Sequence, residues 1–148
     1  MVSIGFRDAN SGDREWLYQL KRVTMKDYVA AAFGWDESFQ QHLFEEDFDP
    51  TGAKIIEIDR QDGGMLQIEE KPDHFYLKRI ELLPKFQRQG IGTRLIRSVI
   101  DEAGRRNKPV ILQVLRVNPA KALYERLGFT TYEETKLHYK MKHLPTSR

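Results

Sequence analysis

The sequence predicts an α+β fold: a mixed, largely antiparallel central sheet with helices on both faces, in an αβα arrangement. Three observations lead there. Between Lys54 and Leu83 lie three apolar runs separated by turn-forming residues, the pattern of an antiparallel meander. A strongly amphipathic stretch follows, from Ile91 to Ala103. After it comes PVILQVLRV (Pro109 to Val117), a nearly continuous run rich in β-branched residues. Strand, helix and strand in that order make a βαβ unit with a right-handed parallel crossover. No repeat, low-complexity tract or linker interrupts the 148 residues. A single domain over 1–148 is expected, with 145–148 as a loose tail.

The elements can be justified in order. Ile4 to Arg7 reads as a short first strand. From Ser11 the pattern turns helical, with Trp16, Leu17, Leu20, Val23 and Thr24 on one face. Ser11 and Asp13 are the candidate caps, and Gly34 is the expected stop. A second short helix is expected over Glu37 to Glu46, with Phe39, Leu43 and Phe44 apolar, before Pro50 and Gly52 break the chain. The meander strands are KIIEID (Lys54 to Asp59), MLQIEE (Met65 to Glu70) and HFYLKRIELL (His74 to Leu83). QDGG (Gln61 to Gly64) supplies the first turn and KPD (Lys71 to Asp73) the second. In the next helix Ile91, Leu95, Ile96, Val99, Ile100 and Ala103 form the apolar stripe. VILQVL should be a central strand buried on both faces. Asn118 and Pro119 open a short helix carrying Ala120, Leu123, Tyr124 and Leu127, which Gly128 ends. FTTYEET and LHYKMKHL supply the last two strands.

Composition narrows the functional classes. Lys and Arg total 24 against 22 Asp and Glu, a net charge of +2, too small to argue for nucleic acid. The charge is unevenly placed: Asp36 to Asp49 is acidic and Lys78 to Arg106 mainly basic. That suits an anionic ligand in one region and a cationic one in another, and equally two solvated faces. With no cysteine, a disulfide, a thiolate metal site and a cysteine nucleophile are excluded. No metal-ligand spacing appears. MVSIGFRDAN lacks the apolar run of a signal peptide or membrane span, so a cytoplasmic setting away from the membrane is expected. A monomer and a homodimer are equally compatible with the sequence.

Gly90 and Gly92 stand between a strand and an amphipathic helix. The first amides of a helix have no internal partners, and the helix dipole adds partial positive charge, so a phosphate compound can bind there. Glycine admits the close approach. GIGTRL lacks the third glycine of a dinucleotide fingerprint, and the Lys of a P-loop is absent. A bare G-x-G also serves as a tight turn packing a helix on a sheet.

Gln87-Arg88-Gln89-Gly90-Ile91-Gly92 matches the [QR]-x-x-G-x-[GA] motif of the GCN5-related N-acetyltransferase superfamily. Downstream, NPAKALYERLGF (Asn118 to Phe129) resembles that family's second hallmark, Asn-x-x-Ala-x-x-x-Tyr…Gly-Phe, with a departure in the Asn-to-Ala spacing. The resemblance is sharpest from Tyr76 to Phe129 and covers most of the chain. It implies the acyl-CoA acyltransferase fold of that family and acetyl-CoA as co-substrate, with no metal. The pyrophosphate would lie on the amides of Arg88, Gln89, Gly90, Ile91, Gly92 and Thr93, with Gln87, Arg88 and Thr93 adding side-chain donors. The pantetheine arm would pair with backbone near Ile80, Glu81 and Leu82, where the third meander strand and the VILQVL strand splay apart. Asn118 would contact the coenzyme arm, a role alongside capping its helix, and Lys121 would reach the 3′-phosphate or stand in solvent.

The resemblance also implies acetyl transfer to a primary amine by direct attack in a ternary complex. Tyr124 matches the family tyrosine that protonates the leaving thiolate, and a backbone amide near Leu82 would polarise the carbonyl. Many relatives carry a glutamate at the position of Gln113, so the base is open here: Glu81, acting through water, and His138 are the candidates. For a small-molecule or peptide amine, Tyr28, Trp35 and Asp36 offer aromatic faces and a carboxylate. The competing classes are a non-catalytic acyl-CoA-binding or sensor domain and, from KRIELLPKFQRQ and GRRNK, a nucleic-acid module that lacks any recognition motif.

Overall fold

A computed structural model describes residues 2–146, so Ser147 and Arg148 of the expected tail lie outside the described residues. The chain order is β1 (Ile4–Asp8), α1 (Arg14–Phe33), α2 (Glu37–Asp47), β2 (Ala53–Ile58), β3 (Gln61–Glu70), β4 (Phe75–Leu82), α3 (Ile91–Arg105), β5 (Val110–Leu115), α4 (Ala120–Arg126), β6 (Thr130–Glu134) and β7 (His138–His143). This is the order expected from sequence, with short 3-10 turns added at Ser11–Asp13 and Pro84–Phe86. The sheet has seven strands in the order β1-β2-β3-β4-β5-β7-β6. It is mixed: β1 with β2, β2 with β3, β5 with β7 and β6 with β7 pair antiparallel, while β4 and β5 pair parallel through Phe75↔Val110 and Tyr76↔Ile111.

The chain divides into two compact units, one running to Gln67 with Arg79–Gln87 and the other comprising Ile68–Lys78 with the residues from Arg88 on. In the first unit, Leu17, Tyr18, Leu20, Phe44, Ala53, Ile55 and Met65 form a core cluster against which Trp16, Phe48 and Leu83 pack. Val23, expected on the buried face of α1, is exposed, and Tyr18 takes a place in the core instead. Likewise Phe39 of α2 is exposed while Gln40 is buried. Asp13 stands at the N-cap position of α1 but makes no side-chain cap bond there, and Ser11 opens the preceding 3-10 turn, which Asn10 caps. Asn10 accepts from the Gly12 amide, and Asp13 closes a capping box by accepting from the Asn10 amide.

The β2–β3 turn also differs from expectation. It falls at Asp59 and Arg60, whose φ values of 49° and 70° supply the left-handed pair a two-residue hairpin needs. Gln61 to Gly64 lies in β3, with Ile58 paired to Gln61. The glycines are there for packing. A Cβ on Gly64 would stand 2.3 Å from the Glu81 carbonyl oxygen, and one on Gly63 would stand 2.7 Å from Ile58 and 2.9 Å from Phe86.

In the second unit, Ile91, Leu95, Ile96, Val99 and Ala103 of α3 are buried, as the stripe predicted. β5 is not buried on both faces: Ile111 is half-buried and Gln113 exposed, alternating with buried Val110, Leu112 and Val114. β7 enters between β5 and β6, with Leu112 opposite Met141. Met141 and Phe129 are among the most enclosed side chains.

Candidate functional site

The second unit carries the glycine turn. Arg88 and Gly90 both have positive φ, 60° and 80°, and Gly90 is the left-handed cap of α3. The first intrahelical bond runs from the Arg94 amide to the Gly90 carbonyl at 3.0 Å. The amides of Ile91, Gly92 and Thr93 therefore precede the helix's own ladder. A Cβ at Gly90 would meet nothing within 4 Å, so the space over the turn is open. Gln89 lies inside the turn, between the two left-handed residues.

Asn118 and Tyr124 belong to the same unit. The Asn118 Oδ1 accepts from the Ala120 amide at 2.9 Å, a bond that caps the start of α4. Tyr124 is 9 % exposed, and its ring meets Phe129 edge-on with centroids 5.7 Å apart. Burial pushes its phenol up to about 12. Among the described residues no fully enclosed side-chain oxygen or nitrogen lacks a hydrogen-bond partner. The Tyr124 hydroxyl has no such partner, so it must open to solvent while its ring is packed. Lys121 is neither loose nor simply solvated: it pairs with Glu125 at 3.6 Å and sits over the Tyr139 ring at 4.3 Å. Arg116 covers the same ring at 4.8 Å. His138 is occupied at its backbone by Thr135, whose hydroxyl accepts from the His138 amide at 2.9 Å. Gln113 Nε2 lies 3.4 Å from the Tyr76 hydroxyl.

In the first unit β4 presents alternating faces. Arg79 and Glu81 point one way and Ile80 and Leu82 the other. Glu81 is 8 % exposed, and because no fully enclosed side-chain oxygen among the described residues lacks a partner, its carboxyl keeps an edge open to solvent. Burial raises its pKa, and the charges of Arg79 and Lys21 pull it back. The Gln87 side chain donates to the Leu82 carbonyl at 2.8 Å, pinning the end of the strand.

Tyr28, Trp35 and Asp36 do not converge. Asp36 caps α2 by accepting from the Phe39 amide at 3.0 Å. The Trp35 indole N–H donates to Glu37, which also receives the Tyr18 hydroxyl and, at 2.8 Å, the Arg22 guanidinium. Trp35 and Asp36 line a groove of about 600 Å³ with Lys21, Phe33, Phe39 and Gln40, and Tyr28 lies outside it. Sequence reading missed Lys21 and Arg79. One sits in a helix rich in charges and the other among the basic residues of β4, and nothing in their spacing marks them as neighbours of a buried acid.

The basic GRRNK segment is tied up locally: Arg106 and Lys108 both reach Glu70 at 2.9 Å. Among the described residues no group of three or more His, Asp or Glu could hold a metal, and no helix is long and apolar enough to cross a membrane.

Comparison with known proteins adds to this geometry. No curated protein matches the sequence at a significant level. Solved structures match over nearly their full length. PaiA N-acetyltransferase from Thermoplasma acidophilum, crystallised with coenzyme A, is 18 % identical with a TM-score of 0.77, covering 96 % of this chain and 99 % of that one. PH1933 from Pyrococcus horikoshii is 16 % identical with a TM-score of 0.75, covering 98 % and 100 %. The ribosomal-protein-S18-alanine N-acetyltransferase of Escherichia coli is 20 % identical with a TM-score of 0.67, covering 99 % and 97 %. At these identities the likeness is one of fold. The sequence profile of the acetyltransferase (GNAT) family matches residues 16–129, taking in the glycine turn, β5 and Tyr124, and on that match the chain belongs to the acetyltransferase (GNAT) family.

Proposed function

We propose that the protein moves the acetyl group of acetyl-CoA to a primary amine of a small molecule or peptide, by direct attack in a ternary complex. The observation that carries the reading is the left-handed Gly90 turn opening α3, with free space where a Cβ would stand. The amides from Arg88 to Thr93 would hold the pyrophosphate, with the Arg88 and Thr93 side chains at the rim. The Asn118 amide and the backbone of Ile80 to Leu82 would hold the pantetheine arm, and the Leu82 amide would polarise the thioester carbonyl. Coenzyme A bound in the Thermoplasma relative supports the choice of ligand.

Tyr124 is the acid in this reading. With its pKa near 12 the phenol keeps its proton across the working range. Against a thiol of roughly 8.5 full transfer is uphill, so Tyr124 acts chiefly by donating a hydrogen bond to the departing sulfur. Glu81 is the base in this reading: burial raises its pKa, which makes it more basic than a solvated carboxylate. The acceptor's proton passes to it directly or through one water. Trp35 and Asp36 would meet the acceptor from their groove, with Tyr28 at a distance from it.

One observation favours a second reading, a non-catalytic acyl-CoA sensor: Gln113 is an exposed amide where many relatives carry a carboxylate. Calorimetric titration with acetyl-CoA, CoA and NAD tests the site. Binding of the first two without NAD is expected, followed by turnover in an amine and peptide screen that Tyr124→Phe slows about a hundredfold. Binding without turnover of any acceptor selects the sensor. No binding by folded protein makes the turn a packing device and ends both readings.

A further inference from the structure

The acids expected to draw an ammonium into the α1–α2 groove are engaged by the protein itself. Phe33, Trp35 and Phe39 line that groove of about 600 Å³, with Lys21 and Asp36 as its charged residues. Asp36 sets its carboxylate against the N-terminus of α2, accepting from the Phe39 amide at 3.0 Å. Glu37 beside it takes the Tyr18 hydroxyl, the Arg22 guanidinium at 2.8 Å and the Trp35 indole. Lys21 is in the opposite condition. It is half-buried, and its ammonium lies 5.9 Å from the ring centroid of Phe44. The Arg79 guanidinium approaches the same ring at 5.9 Å. Among the described residues neither cation has a carboxylate within ion-pair distance. Glu81 and Asp47 are the acids whose fields reach Lys21, and neither pairs with it. Burial and Arg79 lower the Lys21 pKa, as befits an ammonium short of a counter-ion.

We infer that the acceptor is an amino acid with a large apolar side chain, its carboxylate held by Lys21 and its side chain by Phe33, Trp35 and Phe39. This rests on the proposed acetyl transfer and names its substrate class. Phe33 and Phe39 are each more than half exposed and offer their faces to an apolar group. A half-buried ammonium on the same wall gains most from an anion that brings little water with it. A diamine or a basic peptide would instead bring more positive charge to a place that already holds Lys21 and Arg79. In the transfer the amine nitrogen bonds to the acetyl carbon and the carbon–sulfur bond breaks. The amine's proton passes to Glu81, and coenzyme A leaves as the thiolate, hydrogen-bonded by Tyr124. The product is the N-acetyl amino acid.

The test compares phenylalanine, leucine and tryptophan with their amides as acceptors, in wild-type protein shown by calorimetry to bind coenzyme A. Each amide lacks only the carboxylate charge, and its amine is the more readily neutral of the two, so the chemistry alone favours the amide. Expected is a KM about tenfold lower for the acids than for the amides. Lys21→Met should bring acid and amide together, and Lys21→Arg should part them again. Amides that serve as well as the acids in the wild type overturn the inference, as does an acid–amide ratio that Lys21→Met leaves in place. If Lys21→Met fails to fold, Lys21→Gln replaces it, and the wild-type comparison needs no variant. Acetylation of 1,4-diaminobutane or a lysine peptide, with none of the amino acids, sinks the amino-acid class and leaves acetyl transfer standing. No binding of coenzyme A removes the transfer reading itself, and this inference with it.

Discussion

Gly63 and Gly64 in β3 and Gly90 and Gly92 ahead of and inside α3 look alike in the sequence, each pair a break beside an apolar run. They meet opposite needs. Gly63 and Gly64 are buried, and a Cβ at Gly64 would intrude to 2.3 Å of the Glu81 carbonyl oxygen. Glycine is required there because another chain segment occupies the volume. At Gly90 the volume is empty, and glycine serves the φ of 80° instead. The first pair marks where the protein touches itself. Gly90 marks where the backbone turns left-handed in open space.

The largest expected effect breaks the first pair. Gly64→Ala must displace the β4 backbone at Glu81 and Leu82, because the clash is with main chain rather than a movable side chain. A loss of about 3 kcal/mol is expected, read as a fall in the urea midpoint at unchanged slope. A loss below half of that would show that β3 and β4 separate easily. Next comes Tyr124→Phe, which should leave the urea midpoint within error while lowering kcat about a hundredfold with coenzyme affinity unchanged. Turnover at the wild-type rate would remove Tyr124 from the chemistry.

Gly90 separates backbone from ligand. Gly90→Ala forces a left-handed alanine and should cost about 1–2 kcal/mol. Gly90→Asn tolerates that conformation and should recover most of the stability, yet it still places a Cβ over the turn. If the turn holds a pyrophosphate, both variants lose coenzyme A binding by calorimetry; if Gly90→Asn binds normally, the open space is not the ligand's.

The smallest effects are electrostatic. Burial raises the Tyr124 phenol to about 12 against roughly 10 unfolded, so the folded state holds that proton more tightly. Its contribution is complete below pH 10 and fades as pH rises towards 12, and Tyr124→Phe should flatten that part of the stability curve. Glu81 is also raised by burial. Its contribution is present at acid pH and lost as pH rises through its folded pKa, so Glu81→Gln should unfold at a slightly higher temperature at neutral pH. A lower temperature would mean that the carboxylate is better solvated than its burial suggests.

How much was legible differs by residue. The α3 stripe was readable because helical periodicity is local, and the Gly90 turn because its motif sits at a junction of two strongly patterned elements. The QDGG turn was misplaced because glycine in a sequence reports only that a Cβ is unwelcome, without saying whether φ or a neighbour is the reason. The burial of Tyr18 and Gln40, in place of Val23 and Phe39, came from the way α1 and α2 meet through Glu37, a contact no single-helix pattern contains. Asp36 was read as a ligand for an amine and is found capping α2. Both uses call for a carboxylate at a helix break, so sequence could not separate them.

The sequence by itself determined the order of the elements, the parallel step from β4 to β5 and the helix-opening turn at Gly90, because hydrophobic period and backbone preference act over a few residues. Only the tertiary structure decided that β7 lies between β5 and β6, that Gly63 and Gly64 belong to a strand, and that Lys21 of α1 and Arg79 of β4 meet over the Phe44 ring of α2. Those outcomes depend on which distant segments share a volume and a local field, and packing and electrostatics over that distance leave no period in the chain.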